Sequence, residues 1–183
     1  MKTAPSTLIF LSLFSTSIFA NGFESQHRVG IGYASTENPN WLQYAGSDWG
    51  DGLRIEYGYE FNHVFGINLS YSTNTDSQKP RDISSEIDGY NLKFDTDIGQ
   101  KFDLNGYAIK PYGILGLARQ REKNILASDN NKRRESFNDI SFIVGAGIRA
   151  DIGNHIYSDF RFDFSNYDNT DYSTVSWSFG YRF

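Results

Sequence analysis

The residues best suited to chemistry are charged side chains that recur at every second position between apolar residues. Both signs are present in nearly equal numbers, in the set Arg54, Glu56, Glu60, Lys93, Asp95, Asp97, Arg149, Asp159, Arg161, Asp163 and Arg182. Carboxylates along one wall of a pore could line a path for cations. Because guanidinium and ammonium groups accompany them here, we predict instead a network of buried ion pairs, in which each charge has a partner.

Histidine chemistry is not indicated by the sequence. His27, His63 and His155 lack the spacing of a metal-ligand pair. We predict that they lie in turns or at a rim, and that the chain holds no metal and no cofactor. A serine nucleophile would need a histidine base within hydrogen-bonding reach. No histidine lies near a serine at the predicted outer end of a strand, so we predict no catalytic residues and no enzyme.

Basic residues cluster in one segment of an otherwise acidic chain. The cluster consists of Arg121, Lys123, Lys132, Arg133 and Arg134. Arginine binds phosphate through paired N–H donors, so this segment is a candidate anion-binding loop for phosphate groups or anionic glycans. A solvated loop with acidic neighbours is the alternative. Trp41, Tyr44 and Trp49 are expected in an aromatic girdle, with an adhesive patch as the other interpretation.

The bulk composition limits the function classes. The 183 residues carry a formal net charge of −5 and include no cysteine. An acidic chain without a basic stripe is not expected to bind nucleic acid, and thiol chemistry and disulfides are excluded. Lys2, the apolar run at residues 8–19 and Ala20 before polar Asn21 predict a cleaved signal peptide over residues 1–20. Residues 21–183 are then expected to form one domain.

After residue 20, apolar and polar residues alternate in eight segments, and no helical period recurs. Short turns are predicted at residues 62–63, 99–105 and 153–155. Long polar loops are predicted at residues 35–48, 73–86 and 121–136, with an intermediate link at residues 165–171. Short and long connections at opposite ends predict an all-β, eight-stranded antiparallel up-and-down transmembrane β-barrel.

Glycines decide which face of the barrel is inside. Gly30, Gly58 and Gly145 occupy the same alternate strand positions, here called the same parity, as the charged residues. On a water-facing wall glycine would only weaken the strands, whereas the bore of an eight-stranded barrel is just filled by side chains and needs small residues beside large ones. The apolar parity is therefore expected to face lipid. A soluble barrel carrying apolar cargo is the alternative.

The chain resembles the OmpA/OmpX-like small outer-membrane β-barrels, also grouped as porin-like domain proteins. The resemblance rests on the signal peptide, on Lys-Pro-Tyr-Gly at residues 110–113 with Gly116, Gly145 and Gly147 after it, and on the ending Trp-Ser-Phe-Gly-Tyr-Arg-Phe. It implies that the barrel-assembly machinery recognises the last strand. The implied assembly signal is Trp177, Phe179, Tyr181 and Phe183.

Location and function follow as expectations from this resemblance. We expect a monomer in the outer membrane of a Gram-negative cell, in contact with outer-membrane lipid and lipopolysaccharide. Its expected role is structural and adhesive, because a rigid barrel can present loops to neighbouring cells or host surfaces. A narrow channel for ions or small solutes is the alternative, and a lipid A-modifying enzyme is less favoured.

Overall fold

A computed structural model describes residues 26–37, 50–78, 83–128, 131–167 and 170–183. The described residues form β1 (His27–Glu37), β2 (Asp51–Glu60), β3 (Phe65–Gln78), β4 (Ile83–Gly99), β5 (Phe102–Leu104), β6 (Tyr107–Ser128), β7 (Asn131–Ile152), β8 (Ile156–Tyr167) and β9 (Thr170–Arg182). Within them, no helix has the length and apolarity that crossing a bilayer requires. The predicted signal peptide lies outside the described residues.

The strands close into a ring. Neighbouring long strands pair antiparallel, and β1 pairs with β9 to complete the wall. The short strand β5 continues β4 in the same register along β6, because Gly99 faces Tyr112 and Phe102 faces Ile109. β4 and β5 therefore form one interrupted strand, and the wall has eight strands. The prediction of an all-β, eight-stranded antiparallel barrel is confirmed.

The two faces of the wall have opposite chemistry. Large apolar side chains point outward and are exposed, with Ile31 at 55% and Phe94 at 53%. Charged side chains point into the bore, where Arg54 and Arg161 are each 1% exposed. Water would not stabilise this arrangement, because exposed apolar patches of this extent cause association. A hydrocarbon phase around the barrel would stabilise it, because the outward side chains are apolar.

Inward glycines make room for two tyrosine rings in the bore. The ring of Tyr112 occupies the space that a Cβ atom at Gly147 would need. Tyr157 does the same at Gly30 and Gly180. These close approaches explain why glycine alternates with long charged residues on the inward parity.

One end of the barrel has short turns and the other has long strands. At the short-turn end, residues 61–64 and 153–155 connect strands, and His27 and Phe183 exchange backbone hydrogen bonds of 3.0 and 2.9 Å. At the long-strand end, two predicted loops are wrong. β3 and β4 stay paired as far as Gln78 and Ser85, so most of residues 73–86 is strand.

The same correction applies to residues 121–136. β6 and β7 stay paired as far as Ser128 and Asn131, so this segment is a hairpin of two strands rather than a loop. Polar residues occupy both parities here, and Ile125, Leu126 and Ala127 are consecutive, so the segment lacks the apolar alternation that marks a strand. Backbone hydrogen bonds hold the hairpin all the same. Most of the predicted loop at residues 35–48 lies outside the described residues.

The long-strand end is uneven in height. The ladder between β7 and β8 ends where Ile143 faces Ser165. Above that point, residues 131–142 of β7 pair with β6 alone, a segment roughly 35 Å long at about 3.3 Å per residue. We call residues 76–78, 83–87, 119–128 and 131–140 the protruding sheet, because they rise beyond the paired wall formed by β8, β9, β1 and β2.

Candidate functional site

Glu60, at the end of β2, lies at the centre of a buried ion cluster near the short-turn end of the bore. Its carboxylate is 3.1 Å from Arg28 Nη1, 2.8 Å from Arg149 Nη1 and 2.6 Å from Arg182 Nη2. These guanidinium groups come from β1, β7 and β9. One carboxylate therefore joins four strands across the bore.

Asp97 on β4 forms a second centre beside Glu60. Lys110 Nζ donates to Asp97 Oδ1 at 2.5 Å, and Arg28 Nη2 donates to Oδ2 at 3.1 Å. The amide of Asn68 donates to Asp97 Oδ2 at 3.0 Å and to Asp95 Oδ1 at 2.8 Å. The cluster thereby reaches β3 and β6 as well, so most of the wall is linked through buried charges.

Further pairs fill the bore toward the long-strand end. Arg161 Nη2 lies 2.6 Å from Asp95 Oδ1, and Arg54 Nε lies 3.0 Å from Glu56 Oε2. Lys93 pairs with Asp163. Two tyrosines donate to carboxylates, since Tyr157 Oη lies 2.9 Å from Glu56 Oε1 and Tyr112 Oη lies 2.5 Å from Asp159 Oδ1. Arg149 Nη2 also lies 2.9 Å from Asp159 Oδ2.

Charge balance lets the bore be filled rather than open. Among the described residues, seven buried Lys or Arg side chains face eight buried Asp or Glu side chains. Every residue of the ionic network predicted from the sequence lies inside, at 8% exposure or less. Such buried charges are stable only when paired, and their pairing leaves this part of the bore occupied by side chains.

Several members of the cluster were not in the predicted set. Arg28, Lys110 and Asp151 are buried and paired, and each lies at or beyond the end of an apolar run on the charged parity. Extending the alternation by one step would have found them. Tyr112 and Tyr157 share the inward parity as well, but an aromatic residue in a barrel strand is ordinarily assigned to the lipid face.

The histidines lie at the short-turn end. His27 is the first residue of β1, where its Nδ1 lies 2.7 Å from Tyr57 Oη and its ring stacks on Phe183 with centroids 5.5 Å apart. His155, in the turn before β8, stacks on Tyr181 at 5.2 Å. In the part of the chain that the structure describes, no three His, Cys, Asp or Glu residues form a group able to hold a metal ion.

The basic residues divide between two strands of the protruding sheet. Arg121 and Lys123 are exposed on β6, and Arg119 shares their outward parity, a member that the sequence reasoning missed. Arg119 Nε donates to Asn138 Oδ1 at 3.1 Å. On β7 the backbone is described for Lys132, Arg133 and Arg134, which face Ala127, Leu126 and Ile125 of β6. Trp41, Tyr44 and Trp49 lie outside the described residues.

The predicted assembly signal occupies the outward face of β9. Trp177, Phe179 and Tyr181 lie beside Tyr33, Ile31 and Val29 of β1, and all of them are exposed. Phe183 is 56% exposed. The outward face of this strand is thus a continuous aromatic row, and its recognition by assembly machinery stays a prediction.

The chain matches known proteins of one architecture. The family model described as outer membrane protein beta-barrel domain matches residues 6–183. No curated protein matches the chain. The crystal structure of Ail, the attachment invasion locus protein of Yersinia pestis, has a TM-score of 0.65 and 23% identity, covering 88% of this chain and 100% of that one.

Two further solved structures are similar. Ail in complex with the heparin analogue sucrose octasulfate has a TM-score of 0.63 at 23% identity, with coverage of 88% and 100%. The N-terminal β-barrel domain of Pseudomonas aeruginosa OprF has a TM-score of 0.57 at 17% identity, with coverage of 87% and 100%. At these identities the likeness to solved structures shows the fold alone.

Proposed function

Because the chain belongs to the outer membrane protein beta-barrel domain family, we propose that it is a surface-interaction protein of the outer membrane. In this proposal the barrel anchors the protruding sheet, and the sheet binds polyanions outside the cell. Lipopolysaccharide phosphates and sulfated host glycans share the required chemistry. Catalysis forms no part of the proposal, and neither does conduction, since the ion pairs fill the bore.

The observation that carries this proposal is a column of cations on β6. Arg119, Arg121 and Lys123 are exposed at alternate positions, while Gln120 and Glu122 between them are buried at 0% and 1%. Alternate residues of a strand lie on the same face about 7 Å apart. Three cations therefore stand in one line, which suits a ligand with repeated negative charges.

The column begins where the apolar belt ends. Leu117, two residues before Arg119, is 44% exposed on the outward face. On the neighbouring strand β4, Tyr90 faces Arg121 and stacks on Tyr71 with ring centroids 5.6 Å apart. Aromatic rings of this kind mark the level of lipid headgroups in outer-membrane barrels. In this proposal the lower cations are level with headgroup phosphates, and the upper ones extend beyond them.

A related fold supports the class of ligand. Ail was crystallised with the heparin analogue sucrose octasulfate, a densely sulfated sugar. The likeness to this chain is one of fold, so it supports a polyanion as the ligand without indicating which residues bind it. The column on β6 is this chain's own candidate for that role.

Binding of heparin to the refolded protein in zwitterionic nanodiscs tests the proposal. The triple variant Arg119→Ala, Arg121→Ala, Lys123→Ala removes three exposed charge contacts of about 0.2–1 kcal/mol each, so the affinity should fall about tenfold at low salt. The matched control is Arg119→Lys, Arg121→Lys, Lys123→Arg, which keeps the charge and should keep most of the affinity. An unchanged affinity in the alanine variant would contradict the proposal.

A further inference from the structure

A groove opens in the outer wall beside the upper end of β7. Its volume is about 450 Å³, which lies within the range of about 300–1,000 Å³ that is usual for ligand pockets. The groove has an apolar part and a polar rim, and its lining residues are Phe142, Val144, Phe164, Ser165, Asn166, Asp171 and Tyr172. It lies on the other side of β7 from the cation column of β6.

The groove exists because the wall loses a strand at this height. β8 ends at Tyr167, and its ladder with β7 stops where Ile143 faces Ser165. One more contact follows, in which the backbone N–H of Asn166 donates to Ser141 Oγ at 2.9 Å. Above it, no described strand lies on this side of β7. Phe142 is consequently 79% exposed, the largest value for any large apolar side chain among the described residues.

The lining of the groove is continuous with the lipid-facing belt. Val144 and Phe164 face each other across the ladder, and they are 59% and 48% exposed on the outward parity. Below them the same face continues with Ala146 and Phe162, which also form a cross-strand pair. Lipid chains cover the belt, and they therefore also cover the apolar part of the groove.

The rim of the groove accepts hydrogen bonds rather than attracting anions. Asn166 Nδ2 donates to Asp171 Oδ1 at 2.6 Å, which holds the two strands of the hairpin together at their tip. Both side chains are exposed. A carboxylate at this place repels a bare phosphate and accepts from hydroxyl or amide N–H groups.

We propose that the groove seats one acyl chain of an outer-leaflet glycolipid, with hydroxyl or amide N–H donors at the head end of the chain. Lipid A, which carries amide-linked and hydroxylated acyl chains, has this chemistry. The chain lies against Phe142, Val144 and Phe164, and its polar end donates to Asp171. The proposal is independent of the ligand of the protruding sheet, because the two sites share no residue.

Native mass spectrometry of the detergent-purified protein, after incubation with purified lipid A or with dioleoylphosphatidylcholine, which has no N–H or O–H donor, tests this proposal. The variant Val144→Trp fills the groove, and Ala146→Trp adds the same ring two residues lower on the same face as a matched control. We expect the native protein and Ala146→Trp to retain one lipid A molecule. Val144→Trp should retain at least about fivefold less.

A second variant tests the head end without altering the wall. Asp171→Ala should still retain an acyl chain but lose the preference for lipid A over phosphatidylcholine. No retained lipid in the native protein, equal losses in both tryptophan variants, or equal retention of the two lipids by the native protein would each overturn the proposal. If Val144→Trp does not fold, Asp171→Ala decides, and an unchanged lipid preference in it counts against the groove.

Discussion

The bore and the outer wall of this barrel are built from alternate residues of the same strands, yet they are held by different forces. In the bore, Glu60 has three guanidinium groups within 3.1 Å, each from another strand. On the outer wall, Phe162 packs against Phe164 with ring centroids 4.6 Å apart and otherwise faces lipid. The bore depends on exact partners, whereas the wall depends on being apolar. Single substitutions should therefore act differently on the two faces.

The largest effect is expected in the bore. Glu60→Ala leaves Arg28, Arg149 and Arg182 without a shared carboxylate, and breaking a buried pair in this way costs about 3–5 kcal/mol. The free energy of unfolding, from urea titration of the refolded protein in lipid vesicles, measures the loss. Glu37→Ala, at an exposed end of β1, is the control and should change it by less than about 0.5 kcal/mol. If both variants unfold at the same urea concentration, the bore is not the stabilising region.

A smaller loss is expected when the outer wall receives a charge. Phe162→Arg places a cation on the lipid face near the middle of β8 and should cost about 2–4 kcal/mol in the same titration. The control is Phe102→Arg on β5, whose native side chain is 53% exposed at the short-turn end. The cost there should be about 0–1 kcal/mol. Equal costs at the two depths would contradict the assignment of this face to lipid.

The smallest effect is expected when a glycine on either face gains one methyl group, which tests only how crowded that face is. In Gly147→Ala the new methyl group meets the ring of Tyr112 in the bore, and the resulting overpacking should cost about 1–3 kcal/mol. In Gly113→Ala the nearest heavy atoms are 3.8 and 3.9 Å away on the lipid side. That change should be neutral or stabilise by up to about 1 kcal/mol, since glycine weakens strands. Matching losses in the two variants would show that crowding does not distinguish the faces.

Parity explains how much of the fold could be predicted from the sequence. Strict alternation in β2 and β8 places Arg54 and Asp159 inside and Leu53 and Phe160 outside, because one face must match lipid and the other must be paired. Parity cannot tell which residues meet across the bore. Asn68 is an example, since its amide bonds to both Asp95 and Asp97. Its position marks it only as polar and inward.

The protruding sheet could not be predicted for a related reason. Residues 124–128 and 131–135 are paired strands, but Ile125, Leu126 and Ala127 are consecutive, so the sequence there lacks the alternation that marks a strand. The groove beside Phe142 was equally hidden. It arises from the difference in length between β7 and β8, which local residue patterns do not encode.

The pairing of β1 with β9 has a consequence for biogenesis. These strands lie far apart in the sequence, so the edge of β1 stays unpaired and its apolar outer face stays exposed until β9 pairs with it. Partly assembled forms, which exist between synthesis and closure of the barrel, are consequently the most prone to aggregate. A cell that makes this protein should therefore need a holding chaperone during that interval, even though the finished barrel needs none.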